Sequence, residues 1–221
     1  MRRLLFACAL TIASAAHADL CATGRQQSPI DIAGARKSAL PPLAFAYTPA
    51  PLKVANDGHT LRVRLAGAGE LRIGRETYRL QQVHFHTPGG DKVAGQEFPM
   101  AAHVLHKSAS GQLLALVVFL RLGAENPWLG RLWPNIPARA DGDHAIAGER
   151  IDASGLLPAA RGYWRYTGSE TSPPCREGVQ WIVLRQPVEL SAAQLAEYRK
   201  HFADNARAVQ PLNNRTILES P

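Results

Sequence analysis

A chain of 221 residues, 46% hydrophobic and 19% charged, is long enough for one well-buried domain and too apolar for a disordered one. The formal charge of +7 carries no Lys/Arg block interleaved with aromatic residues, so the basicity reads as a solvated surface and not as a nucleic-acid interface.

Residues 1–18 read as a secretory signal peptide. Arg2 and Arg3 precede the apolar run LLFACALTIASAA, and Ala16-His17-Ala18 supplies a small-x-small cleavage site. Cleavage after Ala18 would leave one domain over 19–221. An uncleaved anchor is the alternative, but the run is short for a membrane span. Lipid attachment at Cys8 is disfavoured by the little apolar sequence before it. Cleavage leaves Cys21 and Cys175, which read as one disulfide in an oxidising compartment, periplasmic or extracellular; two free buried thiols are the alternative. The bond would close a loop of about 155 residues, worth roughly 3–5 kcal/mol on a chain-entropy account.

Strand signals dominate the rest of the chain. HTLRVRL (59–65) alternates polar and apolar, and ETYRLQQVHFH (76–86), EFPMAAHVLHK (97–107) and VQWIVLR (179–185) are further strands. QLLALVVFLRL (112–122) is almost continuously apolar, as a central strand covered on both faces would be. Gly-, Pro- and Asp-rich joints separate these runs. Two helices are predicted. Asn126 caps NPWLGRLW with Pro127 in the first turn, and Ser191 with Gln194 forms a capping box before a stripe of Leu195, Tyr198 and Phe202.

Residues two apart on a strand share a face. His84 and His86 therefore project together, with Phe85 opposite. The joint at 87–96 predicts an antiparallel pair with the next strand, which brings His103 to the first two and turns His106 away. Three converging imidazoles suit a zinc ion with its fourth position left for water; a pair of hydrogen-bonded core histidines is the plainer alternative.

Six stretches in chain order carry a family resemblance: QSPIDI (27–32), NDGHTLRV (56–63), YRLQQVHFHTP (78–88), FPMAAHVLHK (98–107), YWRYTGSETSPPCREGVQWIVL (163–184) and VQPLNNR (209–215). Together they resemble the α-class carbonic anhydrases of the bacterial secreted branch. The cysteine positions are similar too. The resemblance implies a mostly β (α+β) single domain, with a large, mainly antiparallel twisted central sheet and short peripheral helices. It implies reversible, zinc-dependent hydration of CO2 to bicarbonate and a proton. His84, His86 and His103 match the zinc ligands, and His59 the residue that shuttles protons. Thr171 matches the threonine that orients the nucleophile. Gln82 matches the side chain that accepts from the first ligand, and Asn205 the backbone carbonyl that supports the second. Leu105, Leu116, Leu184 and Trp181 fall in stretches that line the CO2 pocket, with Glu170 and Ser172 at its wall. The partner is a small molecule, the state a monomer or homodimer, and no stable membrane insertion is expected after cleavage.

Departures from the family pattern bear on the rate. Gly90 stands where a glutamate accepts from the threonine hydroxyl, Ala101 where a glutamate supports the third ligand, and Glu170 where an apolar residue, usually leucine, lines the pocket. Glu170 has three partners to choose from: the site itself, Arg165 or Arg176. Facing the site, it would stand in for the glutamate missing at Gly90. The Trp- and Tyr-containing arm usual before QSPI is replaced by DLCATGRQ. Three readings are open: a carbonic anhydrase slowed by the lost glutamates, a catalytically weak or inactive zinc- or anion-binding relative, and a zinc hydrolase of small activated esters. The bulk of Leu105 and Leu116 argues against the last.

Overall fold

The computed structural model describes residues 20–140 and 142–221; the predicted signal peptide lies outside them. Thirteen strands form one mixed sheet. From one edge the main path runs Gly142–Ile151, Ala50–Asn56, Leu61–Arg64, Glu76–His86, Met100–Ser108, Leu113–Leu122, Glu177–Leu184, Tyr163–Ser169, Leu218–Glu219, Arg36–Lys37. Most neighbours are antiparallel. Leu113–Leu122 and Glu177–Leu184 pair in parallel at the centre, with Ala115 opposite Trp181.

The apolar run 112–122 behaves as its composition requires. Leu114, Leu116, Val118 and Leu120 enter one core, while Ala115, Val117 and Phe119 enter a second on the other face. Met100–Ser108 is divided in the same way: Met100, Ala102 and Val104 join the first core, and Ala101 the second. His106 is buried on the first-core side, its Nε2 2.6 Å from the Tyr47 hydroxyl, and so faces away from His103 as predicted.

Glu76–His86 contains a bulge at Gln81. Leu80 lies opposite His106, but the next pair is Gln82 with Leu105. The extra residue reverses which parity is buried. Tyr78 and Leu80 face the first core before it, and Val83 and Phe85 do so after it. Gln82, His84 and His86 are thereby turned to the opposite face. His84 stands directly across from His103.

The two helices close the first core. Pro127–Leu132 is capped by the Asn126 side chain, which accepts from Trp128 N and Leu129 N, and continues as a 3-10 turn over Trp133–Asn135. Ala192–Arg199 carries the Ser191/Gln194 capping box and buries Leu195 and Tyr198. Phe85 packs edge-on against Trp133 and Tyr198, with ring centres 5.2 and 5.9 Å away. The core below the histidines is thus rigid and aromatic.

Leu116 and Leu184, expected at the CO2 pocket, are instead fully buried in the first core. Strand parity is the reason: Ala115, not Leu116, shares a face with Leu105 and His103. Leu116→Ala should therefore cost roughly 2–5 kcal/mol of stability, read as a lower urea midpoint, and leave metal binding intact. A metal-binding defect at unchanged stability would contradict this placement.

Candidate metal centre

His84, His86 and His103 each offer a ring nitrogen, and these nitrogens lie within 4.8 Å of one another. Among the described residues no other group of three potential ligands converges in this way. The histidines form the floor of a cleft of about 200 Å³. One wall is apolar, made by Leu105, Leu113, Ala115, Val179 and Trp181. The other is polar, with His59, Arg62, Gln82 and the loop Glu170–Pro173.

Asn205 ties the floor together. Its backbone carbonyl accepts from His86 Nδ1 at 3.2 Å, and its Oδ1 accepts from Thr87 N at 2.8 Å. Its Nδ2 donates to the carbonyls of His59 and Phe85, at 2.8 and 3.0 Å. His86 Nε2 is left buried with no protein partner. A sealed imidazole nitrogen aimed among two others fits a metal ligand better than a core histidine, which would be hydrogen-bonded. The donor set, three nitrogens and no thiolate or carboxylate, suits zinc.

The electrostatics agree. Burial pushes His86 down to about 4, helped by the charge of His59 and opposed by the Asn205 carbonyl. Burial, then the charge of neighbouring His86, holds His84 and His103 well below the usual imidazole range. All three are neutral at physiological pH, the form that binds a metal.

The sequence profile of the eukaryotic-type carbonic anhydrases matches residues 14–221. The chain belongs to the α-carbonic anhydrase family. It is 39% identical over 201 residues to a carbonic anhydrase of Pectobacterium carotovorum, covering 90% of this chain and 82% of that one. It resembles the α-carbonic anhydrase of Thermovibrio ammonificans, solved with the inhibitor sulfanilamide, at a TM-score of 0.87 and 41% identity, covering 91% of this chain and 90% of that one. Dioscorin, solved in complex with ascorbate, shares the fold at a TM-score of 0.83 and 28% identity, over 92% and 89% of the two chains.

The structure brings several of the residues named from the sequence to this cleft. Leu105, Trp181, Glu170, Thr171 and Ser172 line the cleft. His59 is held at its mouth, with its ring centre 6.2 Å from that of His86. The Asp57 side chain accepts from the amides of His59 and Thr60 and so shapes that turn. Cys21 and Cys175 form the disulfide. Gln82 shares the face of His84, but no hydrogen bond joins them; Gln82 Oε1 and His84 Nδ1 are both buried without partners.

Two departures acquire a structural meaning. Glu170 takes the outward alternative. Arg176 donates to both carboxylate oxygens, from Nε at 3.0 Å and from a terminal nitrogen at 2.8 Å, while Arg165 is engaged by Gln180. No hydrogen bond joins Glu170 to Thr171 among the described residues, and the Glu170 carboxylate is held by Arg176. Gly90 has φ +81, a backbone that a glutamate would adopt only with strain.

Sequence reasoning missed Arg62 and Ala115. Arg62 projects beside His84, its cross-strand partner, and pairs with Asp57 at 2.6 Å. Both residues are placed by strand parity once the register is known.

The neutral imidazoles make the metal-free protein acid-sensitive. Between about pH 6.5 and 4 the unfolded chain binds protons that buried His86 does not, so native stability falls as pH falls through that window. His84, His103 and His106 act in the same direction. Buried Asp91, pushed up to about 7, acts in the opposite one. Four imidazoles outweigh one carboxyl. The urea midpoint of the metal-free protein should be lower at about pH 5 than at about pH 7, and an equal or higher midpoint would contradict buried, neutral ligands.

Proposed function

We propose that the chain is exported by residues 1–18, binds Zn2+ through His84, His86 and His103, and catalyses the reversible hydration of CO2. The observation that carries this reading is the three-imidazole floor set against the apolar wall of Leu105, Ala115 and Trp181. A zinc ion held by three neutral imidazoles supplies the Lewis acidity that ionises water near neutral pH. The protein's own part is positional. The apolar wall takes an uncharged, weakly polar substrate out of water and places it over the floor. His59, exposed at the mouth, carries protons between the cleft and solvent. Thr171 orients the attacking oxygen. The disulfide, a bond of oxidising compartments, supports a periplasmic or secreted site of action.

A second reading is a zinc- or anion-binding protein with little turnover. It is favoured by the unpartnered Thr171 hydroxyl: without an acceptor, its hydrogen is not directed. Losing one such preorganised bond costs roughly 2–4 kcal/mol of transition-state stabilisation by analogy with other oriented donors.

Stopped-flow CO2 hydration on zinc-loaded protein from residue 19 onward, beside His84→Ala, separates the two. Hydration well above background that vanishes in the variant supports the enzyme. A zinc-loaded protein at the background rate supports the binding reading. Glu170→Leu should leave the rate within about threefold, because Arg176 already holds the carboxylate away from Thr171. A drop of about tenfold or more would mean that Glu170 turns inward during turnover.

A further inference from the structure

A metal-ligating histidine is normally fixed by an acceptor on its second nitrogen. His86 has one, the Asn205 carbonyl. His103 has none: its Nε2 is sealed from solvent and unpartnered, and Nδ1, which carries no hydrogen bond either, is the nitrogen left to face the cleft. Buried N–H groups without acceptors are rare and costly. Ala101 is the residue two before His103 on the same strand face, so the strand itself offers only a methyl group there.

Among the described residues two buried side-chain oxygens also lack partners, Gln82 Oε1 and Asp91 Oδ2. Gln82 shares the face of His84, whose Nδ1 is free, and matches that donor. Asp91 is fully buried, and its Oδ1 accepts from Ile30 N at 2.8 Å and the Tyr166 hydroxyl at 2.9 Å. Tyr166 stacks on Trp181, and Trp181 meets His103 edge-on with ring centres 5.2 Å apart. Ile30, Ala101, Tyr166 and Trp181 belong to one core cluster. Trp181 Nε1 is a donor engaged with Ser169 O and cannot serve His103.

We propose that Asp91 is a positioning residue for the third ligand: its Oδ2 accepts, through one buried water, the hydrogen on His103 Nε2. This rests on the three-histidine metal reading. A carboxylate from the loop after the second ligand then does the work for which the strand has no side chain of its own.

The test is the rate of zinc loss into excess chelator from full-length mature protein, comparing the unmutated chain, Asp91→Asn, Ala101→Glu and the double variant. Asp91→Asn keeps an oxygen for the Ile30 amide and the Tyr166 hydroxyl. It should release zinc about 10–100-fold faster, and adding Ala101→Glu should restore retention by supplying a carboxylate from the strand. Unchanged release from Asp91→Asn overturns the proposal. So does faster release that Ala101→Glu fails to rescue, since that marks a role in packing alone. An unmutated chain that holds no zinc overturns the metal reading and this one with it. Should Asp91→Asn not fold, proton NMR of the unmutated zinc protein decides: a slowly exchanging His103 ring N–H near Trp181 supports the proposal, and a rapidly exchanging one overturns it.

Discussion

Strand parity is the constraint on which this molecule depends. Side chains alternate faces, so one residue of slippage would exchange floor for core along a whole strand. Glu76–His86 must bury Tyr78 and Leu80 on the first-core side and yet turn His84 and His86 to the other. A regular strand cannot place all four with that spacing while also burying Val83 and Phe85. The bulge at Gln81 resolves the conflict by inserting one residue where Leu80–His106 gives way to Gln82–Leu105. The floor is then anchored from below by Phe85 against Trp133 and Tyr198. The arrangement of the three imidazoles is inherited from close packing, which yields little to small forces.

Positioning from outside the sheet comes from the C-terminal third. Asn205 binds the strand end at Thr87, the ring of His86 and the turn of His59 through one residue. The polar lip, residues 170–176, is held from within by Glu170–Arg176 and by Cys175 N donating to Ser172 O. The disulfide ties it to Cys21, while Arg207 and Arg215 donate to carbonyls at Cys21, Ser28 and Gln27. Cleft wall, N-terminal arm and C-terminal segment are thus bonded to one another.

Much of this was legible in the sequence, and the remainder was hidden for identifiable reasons. His84 and His86 two apart, and His103 on the strand after a short joint, required only period-two geometry and an antiparallel turn. The caps at Asn126 and Ser191 are local chemistry and formed as predicted. Leu116 and Leu184 were misplaced because a doubly buried strand is apolar on both faces, so hydrophobicity carries no phase there; the register with Met100–Ser108 supplies it. The strands Leu43–Tyr47, Ala50–Asn56, Gly142–Ile151 and Tyr163–Ser169 were not anticipated; the first is short, and Gly142–Ile151, at the sheet edge, is largely exposed and lacks a clean alternation. The choice of Glu170 among its partners was open because it depends on a loop that returns Arg176 to it.

The site also separates two tasks that nearby glutamates often combine. Making imidazoles available to a metal requires that protons not compete, and here burial does most of this: His86 falls to about 4, with the Asn205 carbonyl opposing the shift and the charge of His59 adding to it. Holding the imidazoles in one orientation requires acceptors on their outer nitrogens, and burial makes that need sharper, because an N–H sealed from water has no solvent to fall back on. Removing carboxylates from the surroundings therefore costs the floor little in ligand availability and much in directional restraint. The same holds for Thr171, which lines the cleft beside Glu170 and among the described residues makes no hydrogen bond that would turn its hydrogen. Direction is therefore the quantity that backbone carbonyls and polar groups from other segments of the chain have to supply, as the Asn205 carbonyl does for His86.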